Sequence, residues 1–294
     1  MNHDLAIAGD AHPELAIRVA ELAGIPLAPV SITAFADGET RVVIEAELRG
    51  ARVCIIQPTS APVNARLVTL ALLADAARAE GAASVTAVMP YFGYARQDAR
   101  GRRGEPRSAQ LAARLLACAG ISAAVVLELH SPALESAFPI PLVHARADAA
   151  LLPVIGGWAL PKPIVVSPDA GGLKRAQRIA AAVGAPLAAV TKCRPSADVA
   201  AVYEVLGNVR GRDCVIVDDM ASTGGTIAEA ARSLLSAGAA RVHAVFVHAV
   251  MAPGALERIA SSGVERIAAS DSVPSPADAR VQIIPIAPVL ARSL

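Results

Sequence analysis

The sequence predicts an α/β fold in which a mostly parallel sheet, flanked by helices, occurs twice in one chain. Three observations carry this. Short β-branched runs alternate with alanine-rich helical stretches, the rhythm of βαβ units, because neighbouring parallel strands need a crossover long enough to hold a helix. The passages from Cys54 to Val88 and from Cys214 to Val247 repeat the order strand, loop, helix, strand at nearly equal length, with "AEGAASVTAV" answering "SAGAARVHAV". Of the 294 residues, 54% are hydrophobic and 18% charged, enough for a substantial core and too apolar for disorder.

Taken in order, "RVCIIQP" reads as a buried strand, "ARLVTLALLADAARAEG" as a helix and "SVTAVMPYF" as the next strand. "AAVVLEL" is a further apolar strand, and the rhythm returns as "DCVIVDD", "TIAEAARSLLSAG" and "RVHAVFVHAV". The repeat is too long for a solenoid and marks duplication of a whole domain. A boundary is expected between Pro141 and Arg146, after "FPIP", giving domains 1–143 and 144–294, with the C-terminal tail open to packing back on the first.

The formal net charge of +1 gives no reason to expect nucleic acid or an acidic membrane as partner. No uncharged run approaches the roughly 20 residues needed to span a bilayer, and the N-terminus "MNHDLAIAGD" lacks a signal-peptide pattern. The four cysteines, at 54, 118, 193 and 214, form no CxxC pair and no metal-ligand spacing. A reduced, cytoplasmic setting is expected.

Ligands of open α/β sheets bind at the carboxyl ends of the strands, and there the two copies differ. The first carries "QPTSAPVN" after its strand, the second "DDMASTGGT". Thr223, Gly224, Gly225 and Thr226 fall at an expected helix N-terminus, where unpaired amides and the helix dipole favour a phosphate. The glycines permit close backbone approach, and hydroxyls such as Ser222 add donors. Asp218 and Asp219, where the strand is expected to stop, would repel a phosphate but accept hydrogen bonds from two vicinal hydroxyls. A dianion at one end and a diol at the other describe a ribose 5-phosphate. The plainer alternative is an acidic strand end followed by a helix capped by Ser222 or Thr223.

The "DDMASTGGT" loop, "FADGE" (35–39), "PYFGYARQD" (90–98) with "GEPRSAQ" (104–110), "ELHSPALESAFPIP" (128–141) and "VVSPDAGGLKRA" (165–176) together resemble the ribose-phosphate pyrophosphokinase family, that is, the phosphoribosyl pyrophosphate synthetases. The likeness runs from "GDAHPELA" to "SDSVPSP". It implies two tandem type I phosphoribosyltransferase-like domains related by a pseudo-twofold, the first holding ATP motifs and a degenerate sugar-phosphate loop. It also implies transfer of the β,γ-diphosphoryl group of ATP to the C1 hydroxyl of ribose 5-phosphate, with Mg²⁺, in a homo-oligomer whose sites are shared between subunits.

By the same resemblance, Phe35, Asp37 and Glu39 hold the adenine, with Phe35 stacking on the ring, and Arg96 and Gln97 contact the nucleotide. His130 sits at the Mg–ATP phosphates, Asp169 helps to hold Mg²⁺, and Asp218, Asp219 and Ser222 to Thr226 bind the sugar phosphate. Lys192 and Arg194, in "TKCRPSADV", match the cations of a mobile catalytic loop. Lys174 and Arg175 fit either a solvated helix face or an anion-lined cleft. The chain departs from the common pattern where Cys193 separates Lys192 from Arg194, where Ser222-Thr223 precedes the loop glycines, and where Glu128 stands at a position that is commonly aspartate. The first two differences resemble a shorter, archaeal-like branch. Two rival readings are a salvage phosphoribosyltransferase, which would have no use for "FADGE" or "PYFGYARQD", and a catalytically silent synthetase-associated regulatory protein.

Overall fold

The apolar runs become the strands of two sheets, each in its own unit. The computed structural model describes residues 3–193, 202–274 and 278–294, with backbone alone at Lys192, Cys193 and Val202. One unit comprises Met1–Arg146 with Ser272–Pro274 and Ile286–Leu294, the other Ala147–Asp271 with 275–285.

In the first unit the strands are β1 (Leu5–Ala8), β2 (Val30–Ala34), β3 (Thr40–Ile44), β4 (Arg52–Ile56), β5 (Ser84–Met89), β6 (Ala123–Leu127) and β7 (Leu142–Ala145). Helices α1 (Pro13–Ala23), α2 (Val63–Ala79) and α3 (Ser108–Cys118) connect them. The main sheet has the order β1-β4-β5-β6-β7 with every pair parallel. Strands β4, β5 and β6 are buried almost throughout, as expected of parallel strands covered on both faces. The hairpin β2–β3 forms a separate two-stranded antiparallel sheet. Ile55, Leu70, Leu73, Met89 and Leu116 form part of one contiguous core.

The second unit holds α4 (Asp148–Gly157), β8 (Pro163–Ser167), α5 (Leu173–Val183), β9 (Leu187–Cys193), β10 (Val202–Leu206), β11 (Asp213–Met220) and α6 (Gly225–Ser236). It continues through β12 (Arg241–His248), α7 (Ala255–Ala260), β13 (Val264–Ser270) and β14 (Val281–Ile284). Its sheet runs β10-β9-β8-β11-β12-β13-β14, parallel except for the β9–β10 pair. The run β8-β11-β12-β13-β14 repeats β1-β4-β5-β6-β7, so the duplication read from sequence is a duplication of sheet topology. The copies diverge in their hairpins: β9–β10 is annealed to the sheet edge, while β2–β3 stands apart. The last helix, α8 (Ala287–Ala291), packs on α1 of the first unit.

One local expectation shifts. Strand β11 does not stop at Asp218 and Asp219 but runs on to Met220, because β12 extends as far as His248 and supplies a pairing partner there. No helix among the described residues is long and apolar enough to cross a membrane.

Leu73 on α2 is fully buried in the first unit's core, so Leu73→Ala leaves a cavity as well as losing transfer energy. We expect a loss of about 2–5 kcal/mol, measured as a lower midpoint in urea with an unchanged slope.

Candidate active site

In the second unit, the carboxyl ends of β8 and β11 lie side by side, since Val166 pairs with Ile216. After β8, the loop carries Asp169. Its carbonyl accepts from Ser167 Oγ at 2.7 Å, and its Oδ1 accepts from Gly172 N at 2.8 Å, just ahead of α5. A Cβ on Gly172 would stand 2.9 Å from Ser167 Oγ, so a side chain there would displace that hydroxyl. Asp169 is exposed, and its Oδ1 is oriented by that amide.

Asp218 and Asp219 are both buried. Asp219 N donates to Asp218 Oδ1 at 2.9 Å. The Arg175 guanidinium, itself buried in the first turn of α5, reaches Asp218 Oδ1 at 3.7 Å and Asp219 Oδ1 at 3.5 Å. Lys174 is exposed beside it. The structure thus separates two residues that sequence left equivalent: Lys174 lies on the solvated face, and Arg175 belongs to the acidic pair. Burial pushes the Asp218 carboxyl well above the ordinary carboxylate range; the negative charge of Asp219 adds to this, and Arg175 partly opposes it.

The loop after β11 turns sharply. Gly224 adopts φ +73°, and a Cβ there would meet the Ala255 carbonyl oxygen at 2.6 Å, so both backbone angle and space require glycine. Met251 N donates to Ala221 O at 2.9 Å, Ala252 N to Ser222 O at 2.9 Å, and the Arg258 guanidinium to Thr223 O. With three successive carbonyls held from one side, the planar trans peptide aims the amides of Ser222, Thr223 and Gly224 to the other side. Helix α6 then begins at Gly225 with Gly224 as its N-cap residue and no side-chain cap. Neither Ser222 nor Thr223 caps it, which corrects the plainer alternative. An uncapped helix start favours an anion, and Thr223 and Thr226 beside it are exposed.

Lys192 lies in β9 opposite Tyr203, and only its backbone is described. Arg194 lies outside the described residues.

The other predicted residues belong to the first unit. "FADGE" joins β2 to β3: Phe35 N donates to Glu39 O at 2.8 Å, Gly38 N to Phe35 O at 2.9 Å and Glu39 N to Asp37 Oδ1 at 3.1 Å. Phe35, Asp37 and Glu39 are all exposed, Phe35 at 52%. The turn spends its own polar groups on itself and leaves an aromatic face open. Arg96 and Gln97 lie exposed on the loop after β5. Ser108 Oγ donates to Gln97 Oε1 at 2.5 Å, and Gly93 N donates to Thr59 Oγ1 at 2.6 Å. Tyr94 takes a left-handed φ of 66° with its hydroxyl on Asn64 Oδ1. Asn64 was not legible from sequence, because it lies 30 residues from the tyrosine it holds. His130 is exposed just beyond the carboxyl end of β6, after Glu128, which is buried with φ 39°.

At the first unit's counterpart of the acidic turn, Gln57 fills the space. Its Oε1 accepts from Ala11 N at 3.0 Å, its Nε2 donates to Asp10 Oδ1 at 2.9 Å, and Arg66 pairs with Asp10. A Cβ on Gly9 would stand 2.0 Å from Gln57 Oε1. This copy spends its polar groups internally, which suits a scaffold.

Among the described residues no cluster of three or more His, Cys, Asp or Glu side chains could hold a metal. Mg²⁺ commonly binds through one or two carboxylates, substrate phosphates and water. The exposed, oriented Asp169 carboxylate fits that mode without a preformed cage.

An acidic turn, an uncapped glycine helix start and a parallel sheet define the second unit as a phosphoribosyltransferase-type domain. Its residues 159–278 match the phosphoribosyl transferase domain, and residues 5–120 match the N-terminal domain of ribose phosphate pyrophosphokinase. The chain is 40% identical to the ribose-phosphate pyrophosphokinase of Listeria ivanovii over 96% of its own length and 90% of that relative. It is 36% identical to that of Bacillus subtilis (strain 168), over 97% and 91%. A crystal structure of phosphoribosylpyrophosphate synthetase from Mycobacterium smegmatis superposes with a TM-score of 0.92 at 34% identity, over 99% of this chain and 97% of that one. The chain belongs to the ribose-phosphate pyrophosphokinase family.

The raised pKa of Asp218 carries a stability consequence. Because the folded state holds this proton more tightly than the unfolded chain, stability falls as pH rises from the ordinary value of 3.8 toward the folded value. Asp218→Asn removes that penalty. It should melt at a higher temperature than the parent at pH 7. The difference should vanish below about pH 4, which thermal denaturation from pH 3 to pH 8 checks.

Proposed function

We propose that this chain is an ATP-dependent ribose-phosphate diphosphokinase. It moves the β,γ-diphosphoryl group of ATP to the C1 hydroxyl of ribose 5-phosphate, giving phosphoribosyl pyrophosphate and AMP. The observation that carries this reading is the turn between β11 and α6, where a buried acidic pair and an uncapped glycine helix start lie five residues apart. The 5-phosphate takes the amides of Ser222 to Gly225 and the hydroxyls of Ser222, Thr223 and Thr226. The ribose hydroxyls take Asp218 and Asp219, with Arg175 holding both carboxylates in place.

The C1 oxygen attacks the β-phosphorus as its bond to the oxygen retained by AMP breaks, and the hydroxyl proton passes to water. Such a step asks for in-line placement and neutralisation of shifting charge rather than covalent chemistry. Phe35 stacks on adenine, with Asp37 and Glu39 on its polar edge; their hairpin serves the site of a neighbouring subunit in a homo-oligomer. Arg96 pairs with the phosphates, Gln97 contacts the nucleotide, and His130 stands at its phosphate chain. Mg²⁺, held by His130 and Asp169, would neutralise phosphate charge when bound. Lys192 and Arg194 supply the cations that act on the transferring group. We place the enzyme in the cytoplasm, where the buried thiols of Cys54 and Cys214 stay reduced.

Two measurements test this reading. Phosphorus NMR with ATP, Mg²⁺ and ribose 5-phosphate should show AMP and phosphoribosyl pyrophosphate; ADP as product would mean monophosphoryl transfer and refute it. Formation of phosphoribosyl pyrophosphate from ATP would equally exclude a salvage enzyme, which makes no diphosphate ester from ATP. In steady-state kinetics, Lys192→Ala and Arg194→Ala should each lower kcat by about 10²–10³, with KM for both substrates within a few-fold, because cations placed for the transition state act mainly on the barrier. Asp219→Asn should instead raise KM for ribose 5-phosphate more than it lowers kcat, since the sugar hydroxyls are held in ground and transition states alike.

A further inference from the structure

His130 sits on a turn whose two ends meet at one side chain. Strand β6 pairs with β7 through Leu127 and Ala145, and Glu128 N extends the ladder by donating to Ala145 O at 2.8 Å. The next amide, Leu129 N, leaves the ladder and donates to His144 Nε2 at 3.0 Å. The other ring nitrogen, His144 Nδ1, lies 2.7 Å from Glu135 Oε1. Glu135 belongs to the short 3₁₀ helix Pro132–Ala137, which begins two residues after His130. The buried Leu129 and Leu134 anchor the same two segments in the core.

These contacts fix the ring's chemistry. An amide can only donate, so Nε2 must be unprotonated to accept from Leu129, and the remaining proton sits on Nδ1, where it is donated to the Glu135 carboxylate. The ring spans the turn, holding the amide just before His130 and the helix just after it. Its side chain is only 13% exposed while that of Glu135 is 50% exposed, so the bond to Leu129 is the better shielded of the two. Glu128, with its left-handed φ of 39°, shows that the backbone bends sharply here and needs such support.

We propose that His144 is a positioning residue: in the Nδ1–H tautomer it clamps the 129–135 turn and so sets where His130 meets the nucleotide phosphates. This rests on the assignment of His130 to those phosphates in the proposed function. The side chain of His144 acts through backbone and neighbour and does not itself reach the substrate.

Two substitutions divide the clamp. Gln places its amide oxygen where Nε2 was, keeping an acceptor for Leu129 N–H. Asn reproduces only the Nδ1 side and leaves that amide unsatisfied. His144→Asn should lower kcat/KM for ATP about ten- to a hundredfold, with KM for ribose 5-phosphate within about twofold, and His144→Gln should recover most of the loss. In a His130→Ala background, His144→Asn should have little further effect, because the residue it positions is gone. Nitrogen-15 NMR of the parent at neutral pH should show Nε2 of His144 unprotonated and Nδ1 protonated.

Full additivity of the two substitutions, an Nε2–H tautomer, or equal loss in the Gln and Asn variants would each overturn the positioning role while leaving the reaction assignment intact. Near-normal turnover in His130→Ala alone would instead refute the assignment of His130, and with it the reason for the clamp.

Discussion

Much of the second unit's architecture depends on one arrangement: two adjacent carboxylates buried near a strand end, with one buried guanidinium close to both. Burying like charges side by side is costly, and it persists only where the environment supplies compensation. Here Arg175 supplies part, at 3.5 and 3.7 Å, and the raised pKa of Asp218 makes its charge easier to shed. The pairing requires α5 to start where it does, and this in turn requires the tight Asp169–Gly172 turn. The helix that brings Arg175 to Asp218 also sets the orientation of Asp169.

The neighbouring loop is built on a complementary principle. Its carbonyls at Ala221, Ser222 and Thr223 accept from the 251–258 segment. Gly224 is the pivot, since an added side chain would meet the Ala255 carbonyl and also strain the backbone. In the proposed function, a phosphate site and carboxylates that accept hydrogen bonds from hydroxyls must lie close together without cancelling. Burial of the acids under Arg175 lets them do so, because their charge is partly neutralised before any ligand arrives.

Duplication explains the economy of the molecule. Both units use the strand order seen in β1-β4-β5-β6-β7, so both present loops at the same sheet edge. In the first unit, that edge is tied up by Gln57, Asp10 and Arg66, and the functional candidates moved outward to the β2–β3 hairpin, the loop after β5 and the turn after β6. One fold supports two specialisations because loops can change without disturbing the buried strands.

The sequence by itself determined the α/β class, the duplication and the position of the glycine-bearing turn between β11 and α6. Each is encoded locally: strand runs by β-branched residues, helix starts by glycine and hydroxyl residues, and repeats by order along the chain. It also fixed the extent of β11 to within one residue, missing Met220 because the pairing partner His248 lies 28 residues on. What only tertiary structure decided depends on contacts between distant segments. Lys174 and Arg175 are chemically alike and adjacent, and only the packing of α5 against β11 makes one solvated and the other part of the acidic pair. Gly224 rather than Ser222 or Thr223 became the helix cap because Ala255 and Met251 press the loop into a left-handed turn. Asn64 and His144 carried no signal in their own surroundings, since each acts on a loop that arrives from another part of the chain. A side chain's role as a clamp exists only once folding has brought both ends of the clamp to it.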